Sequence, residues 1–141
     1  MCRLDGHGWF MNQAGKQPDQ GVAGRSRREI GQLGEDLAVR FLEDAGWTVV
    51  ARNWRCRYGE LDVIAVDGVA LVVVEVKART GALFSDVAEA VSFEKYKRMR
   101  RLAALWLQEQ DRRWPVVRFD VIAVHLNPAG EPTFSHLRGV F

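Results

Sequence analysis

The sequence predicts an α/β fold, a mixed sheet of four or five strands with helices packed on its faces. Three observations predict it. Two stretches, 27–45 and 92–110, carry apolar residues at helical spacing. Three β-branched, apolar runs lie between them, and one or two more follow the second. The middle runs are joined by a hairpin signal, Asp67–Gly68. The expected order is therefore α-β-β-β-α-β, with an optional last strand.

The first helix is announced at Ser26, where Ser26, Arg27, Arg28, Glu29 fits a capping box ahead of Ile30, Leu33, Leu37 and Phe41. Gly46 is a stop signal, and 47–54, with Val49 and Val50, reads as a strand. Runs 61–66 and 69–76 follow as the hairpin. Ser92 caps the second helix, whose stripe is Tyr96, Met99, Leu102, Ala103 and Trp106; Pro115 follows its end. A fourth strand is expected at 116–124. After the turn residues Asn127, Pro128 and Gly130, a short fifth is expected at 133–137.

A chain of 141 residues, 48% hydrophobic and 10% aromatic, buries one core, so residues 25–141 read as a single domain. Residues 1–24 have no period and hold Gly6, Gly8, Gly15, Pro18, Gly21 and Gly24. Such a segment buries little and has much chain entropy to lose, so a disordered tail is expected, with Met11 as an alternative start. No apolar run suits a signal peptide or a membrane span, which makes the cytoplasm the expected location. Cys2 and Cys56 lack the spacing of a zinc site or disulfide framework and read as thiols of a reducing compartment.

The hairpin carries the chemistry. With Asp67 and Gly68 as turn residues, Asp62 falls opposite Val73 and Glu60 opposite Glu75, and facing residues share one side of a sheet. Glu60, Asp62, Glu75 and Lys77 are then expected together at the open end, with Leu61, Val63, Val72, Val74 and Val76 on the other side. Charges in an otherwise apolar hairpin are costly without counter-ions. Asp62 and Glu75, as diagonal neighbours about 7 Å apart, could close on one Mg²⁺ or Mn²⁺. Lys77 could then hold a water and offset phosphate charge. The alternative is an edge hairpin in which Lys77 forms a surface salt bridge with Glu60 or Glu75.

The net charge of +2 decides nothing, but its distribution is uneven. Arg25, Arg27 and Arg28 form one basic cluster; Lys95, Lys97, Arg98, Arg100 and Arg101 form another. Either could contact phosphate or simply face water. Lys95 projects toward the apolar arc of its helix, which leaves it two roles: looking toward the site, or packing its stem while the ammonium reaches water.

The order Asp62, then Glu75, Val76, Lys77 resembles the PD-(D/E)XK nuclease superfamily, with Leu61 standing where that name has Pro. More specifically, GQLGE at 31–35, GELD at 59–62, VEVKAR at 74–79 and RFD at 118–120 resemble the YraN family of bacterial proteins. The resemblance implies a restriction-endonuclease-like fold similar to archaeal Holliday-junction resolvases. It implies Asp62 and Glu75 as metal ligands, Lys77 as the catalytic lysine, and Glu35 completing the site from the first helix. By helical projection alone Glu35 flanks the buried stripe, about 100° from its centre, where it could reach the hairpin or face solvent.

Two functions follow. One is an Mg²⁺- or Mn²⁺-dependent endonuclease acting on nucleic acid, expected to be DNA, branched or damaged. Its catalytic residues would be Asp62, Glu75, Lys77 and Glu35, with Glu60 as a further ligand candidate and Lys95, Lys97, Arg98 and Arg101 as nucleic-acid contacts. The other is a non-catalytic nucleic-acid-binding module of the same fold. A protein-interaction domain with a structural hairpin is a third and weaker reading, and a homodimer is a candidate assembly for any of them.

Overall fold

The computed structural model describes residues 24–80 and 91–140. Apart from Gly24, the expected N-terminal tail lies outside the described residues. The element order is α1 (Arg27–Asp44), β1 (Thr48–Cys56), β2 (Gly59–Asp67), β3 (Ala70–Thr80), α2 (Phe93–Gln108), β4 (Val116–Leu126) and β5 (Thr133–Leu137). This is the expected α/β class and order. Ser26 closes the capping box: its hydroxyl accepts from Glu29 N at 3.2 Å and its own N–H donates to Glu29 Oε1 at 2.9 Å. Ser92 caps α2 by accepting from Lys95 N at 3.1 Å.

The five strands form one sheet in the order β1-β2-β3-β4-β5. All neighbours are antiparallel except β3 and β4, which run parallel, with α2 between them in sequence. The central strands are covered on both faces, so β3 reads as a nearly unbroken valine run rather than an alternation. On one face Ile64, Leu71, Val73, Phe119 and Val121 pack with Met99, Leu102 and Trp106 of α2. On the other, Val63, Val72, Val74, Ile122 and Val124 pack with Ala38, Val39 and Leu42 of α1. Each fully buried aliphatic side chain contributes about 1.5–3 kcal/mol, so the sheet's position between the helices is strongly specified. No helix among the described residues is long and apolar enough to cross a membrane.

Two expectations about the hairpin are corrected. Asp67 pairs with Ala70, so the turn residues are Gly68 and Val69 rather than Asp67 and Gly68. Gly68 has φ +62° while Val69 keeps a negative φ, as in a type II′ turn, which needs glycine only at its first central position. The register therefore moves by two residues, a shift that by itself preserves side-chain faces but changes partners. Leu61 is the second correction: it packs with Trp54, Ile64 and Val73 on the α2 side, not with Val63 and Val74. The cause lies in β1, where Asn53 adopts φ 50° and neither Asn53 nor Asp62 joins the ladder between the rungs Arg52↔Val63 and Trp54↔Leu61. Alternation breaks there in both strands.

Gly34 seats α1 on the sheet. A Cβ at this position would lie 2.6 Å from Ala78 Cβ, so only glycine permits the observed approach of helix to strand. The next residue is Glu35.

Candidate active site

Pairing between β2 and β3 ends at Val63↔Val74. Continued by one rung, the register would set Asp62 directly opposite Glu75, closer than the diagonal relationship expected from the sequence. In place of that rung, Asp62 Oδ2 accepts the backbone N–H of Val76 at 3.0 Å. Glu75 is buried, and its Oε2 lies 3.4 Å from Lys77 Nζ and 2.5 Å from Lys95 Nζ. Lys95 thus reaches the site from the first turn of α2 rather than extending into water.

These contacts set the protonation states. Burial and the neighbouring Glu75 push the Asp62 carboxyl up to about 8, against the opposing pull of the Val76 N–H. Lys95 is partly buried, which disfavours its charge, yet its hydrogen bond and attraction to Glu75 raise it above the ordinary lysine value. Glu35 also adds to the negative field at Asp62, so α1 contributes to this neighbourhood.

Glu35 itself is buried and held by β1. Its Oε1 accepts from Arg52 Nη2 at 3.1 Å, Arg52 Nε at 3.3 Å and Asn53 Nδ2 at 2.8 Å. Burial raises its pKa, with Arg52 acting in the opposite direction. The flank of α1 that a helical projection leaves ambiguous is therefore covered by protein. Arg52 is only 4% exposed and also binds Asp36 at 2.5 Å, which makes it the clamp between helix and strand.

The structure does not bring Glu60 to this group: its side chain is exposed and pairs with Arg55 across β1–β2 at 3.0 Å. Among the described residues no set of three or more His, Cys, Asp or Glu side chains converges to hold a metal ion. What the protein offers is a pair of carboxylates, Asp62 and Glu75, with two lysines. The donor chemistry still fits a hard cation, since both groups present oxygen. Lys97, Arg98 and Arg101, the other expected nucleic-acid contacts, are exposed on α2.

Several polar residues were not singled out from the sequence. Arg52 and Asn53 have no local signature, because their partners are 17 and 18 residues away. Asp120 was visible only as part of RFD. It is fully buried, receives Arg118 through two hydrogen bonds of 2.9 and 3.0 Å, meets His136 Nε2 at 2.8 Å and accepts Gly139 N–H at 2.9 Å. A lone carboxylate inside the apolar run around 119–124 was the available signal.

Comparison with known proteins bears on the same stretch. The model of a family described as "Uncharacterised protein family UPF0102" matches residues 34–124, which include Glu35, Asp62, Glu75, Lys77 and Asp120. The chain belongs to this family. UPF0102, the YraN family, also supplies its similar curated relatives. A UPF0102 protein of Nocardia farcinica is 55% identical over 115 residues, covering 82% of this chain and 91% of the relative. One from Mycolicibacterium vanbaalenii is 54% identical over 115 residues, covering 82% and 95%. One from Mycolicibacterium smegmatis is 50% identical over 122 residues, covering 85% and 98%.

Proposed function

We propose that this UPF0102 protein is a metal-dependent endonuclease of the PD-(D/E)XK type, hydrolysing phosphodiester bonds in DNA. The observation that carries the reading is the Asp62–Glu75 pair at the end of the hairpin ladder, with Lys77 on Glu75 Oε2. A buried acid pair beside lysines is a poor device for stability, because burying charges costs more than their attraction returns. It suits a site whose charges meet a cation and a phosphate.

Asp62 and Glu75 would hold Mg²⁺ or Mn²⁺, which would polarise the phosphoryl oxygen and acidify water. The protein's own residues do the rest. Asp62 retains its proton near neutral pH when facing protein groups alone, so acting as a ligand requires its release, and affinity for the cation rises with pH. Lys77 orients the attacking water and donates to a phosphate oxygen as negative charge builds. Arg52 holds the Glu35 carboxyl in place and opposes the burial that raises its pKa, so α1 contributes to the neighbourhood of Asp62 from a fixed position. Lys97, Arg98 and Arg101 supply phosphate contacts along α2.

One observation favours a second reading, a non-catalytic nucleic-acid-binding module. Glu75 is already paired with Lys77 and Lys95, and Glu35 with Arg52, as in a site that has exchanged cation binding for internal salt bridges. Incubation with branched, nicked and single-stranded DNA separates the two. Cleavage in Mg²⁺ or Mn²⁺ that is lost in Asp62→Ala and Lys77→Ala is expected. Intact substrates under every condition, or equal cleavage by Asp62→Ala, sink the enzyme.

A further inference from the structure

The α2 segment Phe93–Gln108 carries five cations, Lys95, Lys97, Arg98, Arg100 and Arg101, against one acid, Glu94. Lys95 turns inward to Glu75, but the rest do not. Phe93, Lys97 and Arg101 are four residues apart and form one ridge about 12 Å long on the exposed side of the helix. Lys97 Nζ stands 5.5 Å from the centre of the Phe93 ring. Arg101 stands 4.5 Å from the Tyr58 ring, and Arg57 stands 5.0 Å from it.

Tyr58 belongs to the turn between β1 and β2, which sits directly on α2: a Cβ on Gly59 would lie 3.2 Å from Leu102 Cδ1 and 3.8 Å from Arg98 Cδ. The ridge therefore continues from the helix onto the turn. Tyr58 is 44% exposed and Phe93 59% exposed, unusual for large apolar rings in an otherwise well-buried core. Exposed rings with cations held over them combine two surfaces: planar faces on which bases stack, and positive charge that tracks a phosphate backbone. The guanidinium planes over Tyr58 are themselves stacking surfaces.

We infer that Phe93, Lys97, Arg101, Tyr58 and Arg57 form a platform for unpaired nucleotides on the outer side of α2. The inference rests on the reading that nucleic acid is the substrate and deepens it by naming the substrate class. Duplex bases are stacked on one another and cannot use exposed rings, so the platform discriminates strands that are single or splayed. Lys95, two residues from both Phe93 and Lys97, lies on the opposite side of α2 and faces Glu75.

The test is fluorescence anisotropy with the full chain carrying Asp62→Asn, in EDTA, against labelled oligo-dT and a blunt duplex of equal length. Tighter binding of oligo-dT is expected. Tyr58→Ala and Phe93→Ala should each weaken it by about fivefold or more while leaving duplex affinity unchanged, and Tyr58→Trp should retain it. Both positions are exposed, and unchanged circular dichroism verifies the fold of each variant. Unaltered oligo-dT affinity in both alanine variants overturns the platform, as does an equal loss on duplex or a failure of oligo-dT to bind. Stacking-dependent binding without cleavage by the wild type in Mn²⁺ sinks the endonuclease and leaves the platform standing. Cleavage without preference for unpaired strands does the reverse.

Discussion

The β2–β3 ladder stops one residue short of Asp62 and Glu75, and beyond it the Asp62 carboxylate accepts the Val76 N–H at 3.0 Å. The geometry leaves two acids in one poorly solvated space, and its thermodynamic signature is the pKa of Asp62. Folded, it releases its proton at about 8; unfolded, near 4. The folded state therefore binds the extra proton between these values. Its contribution to stability is full below the unfolded value and is lost as pH rises through the folded one. In calorimetric scans in EDTA, the melting temperature of the wild type should fall between roughly pH 4 and pH 8 more steeply than that of Asp62→Asn. Parallel curves would mean that Asp62 does not carry the extra proton.

Arg52 supports the site from beneath. It is 4% exposed and is shared by Glu35 and Asp36. Removing one partner of a buried pair leaves the other charge uncompensated, at a cost of about 3–5 kcal/mol. Arg52→Ala should lower the unfolding free energy read from urea titration by that order, and Glu35→Gln in the same background should recover part of the loss. Additive losses would show that the two residues are not coupled.

Much of this was legible in the sequence, for physical reasons that also explain what was not. The Ser26 box and the short strand at 133–137 are local signals with local causes, and both elements formed where expected. The face shared by Glu75 and Lys77 was legible because strand periodicity is two, so a two-residue error in the turn left it intact. The same error hid that the register, continued by one rung, sets Asp62 rather than Glu60 opposite Glu75. Leu61 was misplaced because one residue, Asn53 at φ 50°, breaks the alternation, and a non-glycine residue with positive φ leaves little trace in a pattern. Glu35 was ambiguous on a helical wheel, since only tertiary packing decides which flank of α1 is covered.

That packing is governed at Gly34. A methyl group there would lie 2.6 Å from Ala78 Cβ, so Gly34→Ala must push α1 off β3. The overpacking cost is about 1–3 kcal/mol despite alanine's better helix propensity. Because Glu35 is the next residue, cleavage should fall further than the loss of folded protein explains. Thermal melts and nuclease assays on the same preparation separate the two effects. A Gly34→Ala variant more stable than wild type would contradict the close approach.

Asp120 should behave oppositely to Asp62 in acid. It is buried, which opposes ionisation, but His136, Arg118 and the Gly139 N–H together hold its carboxyl below the ordinary range. The stability it contributes is therefore present above the unfolded value, near pH 4, and is lost as pH falls through the folded one. Asp120→Asn should cost about 2–3 kcal/mol at neutral pH and flatten the acid limb of the stability curve. Urea titrations at several pH values would register both changes, and an unchanged acid limb would assign that limb elsewhere.

Lys95 decides whether the acid pair is available to a cation. Its ammonium, 2.5 Å from Glu75 Oε2, stands on an oxygen that metal binding would use, so lysine and metal compete for the same lone pairs. Lys95→Met keeps the stem and removes the charge. If the pair is a metal site, calorimetric titration with Mn²⁺ should show affinity tightened by roughly tenfold or more in Lys95→Met, since each 1.4 kcal/mol of relieved competition is a factor of ten. Binding should be lost in Glu75→Gln, whose amide supplies a weaker ligand. The effect should grow with pH as Asp62 gives up its proton. Mn²⁺ binding that is absent in wild type and Lys95→Met alike would leave the salt bridge as the final state of the site and favour the non-catalytic module over the enzyme.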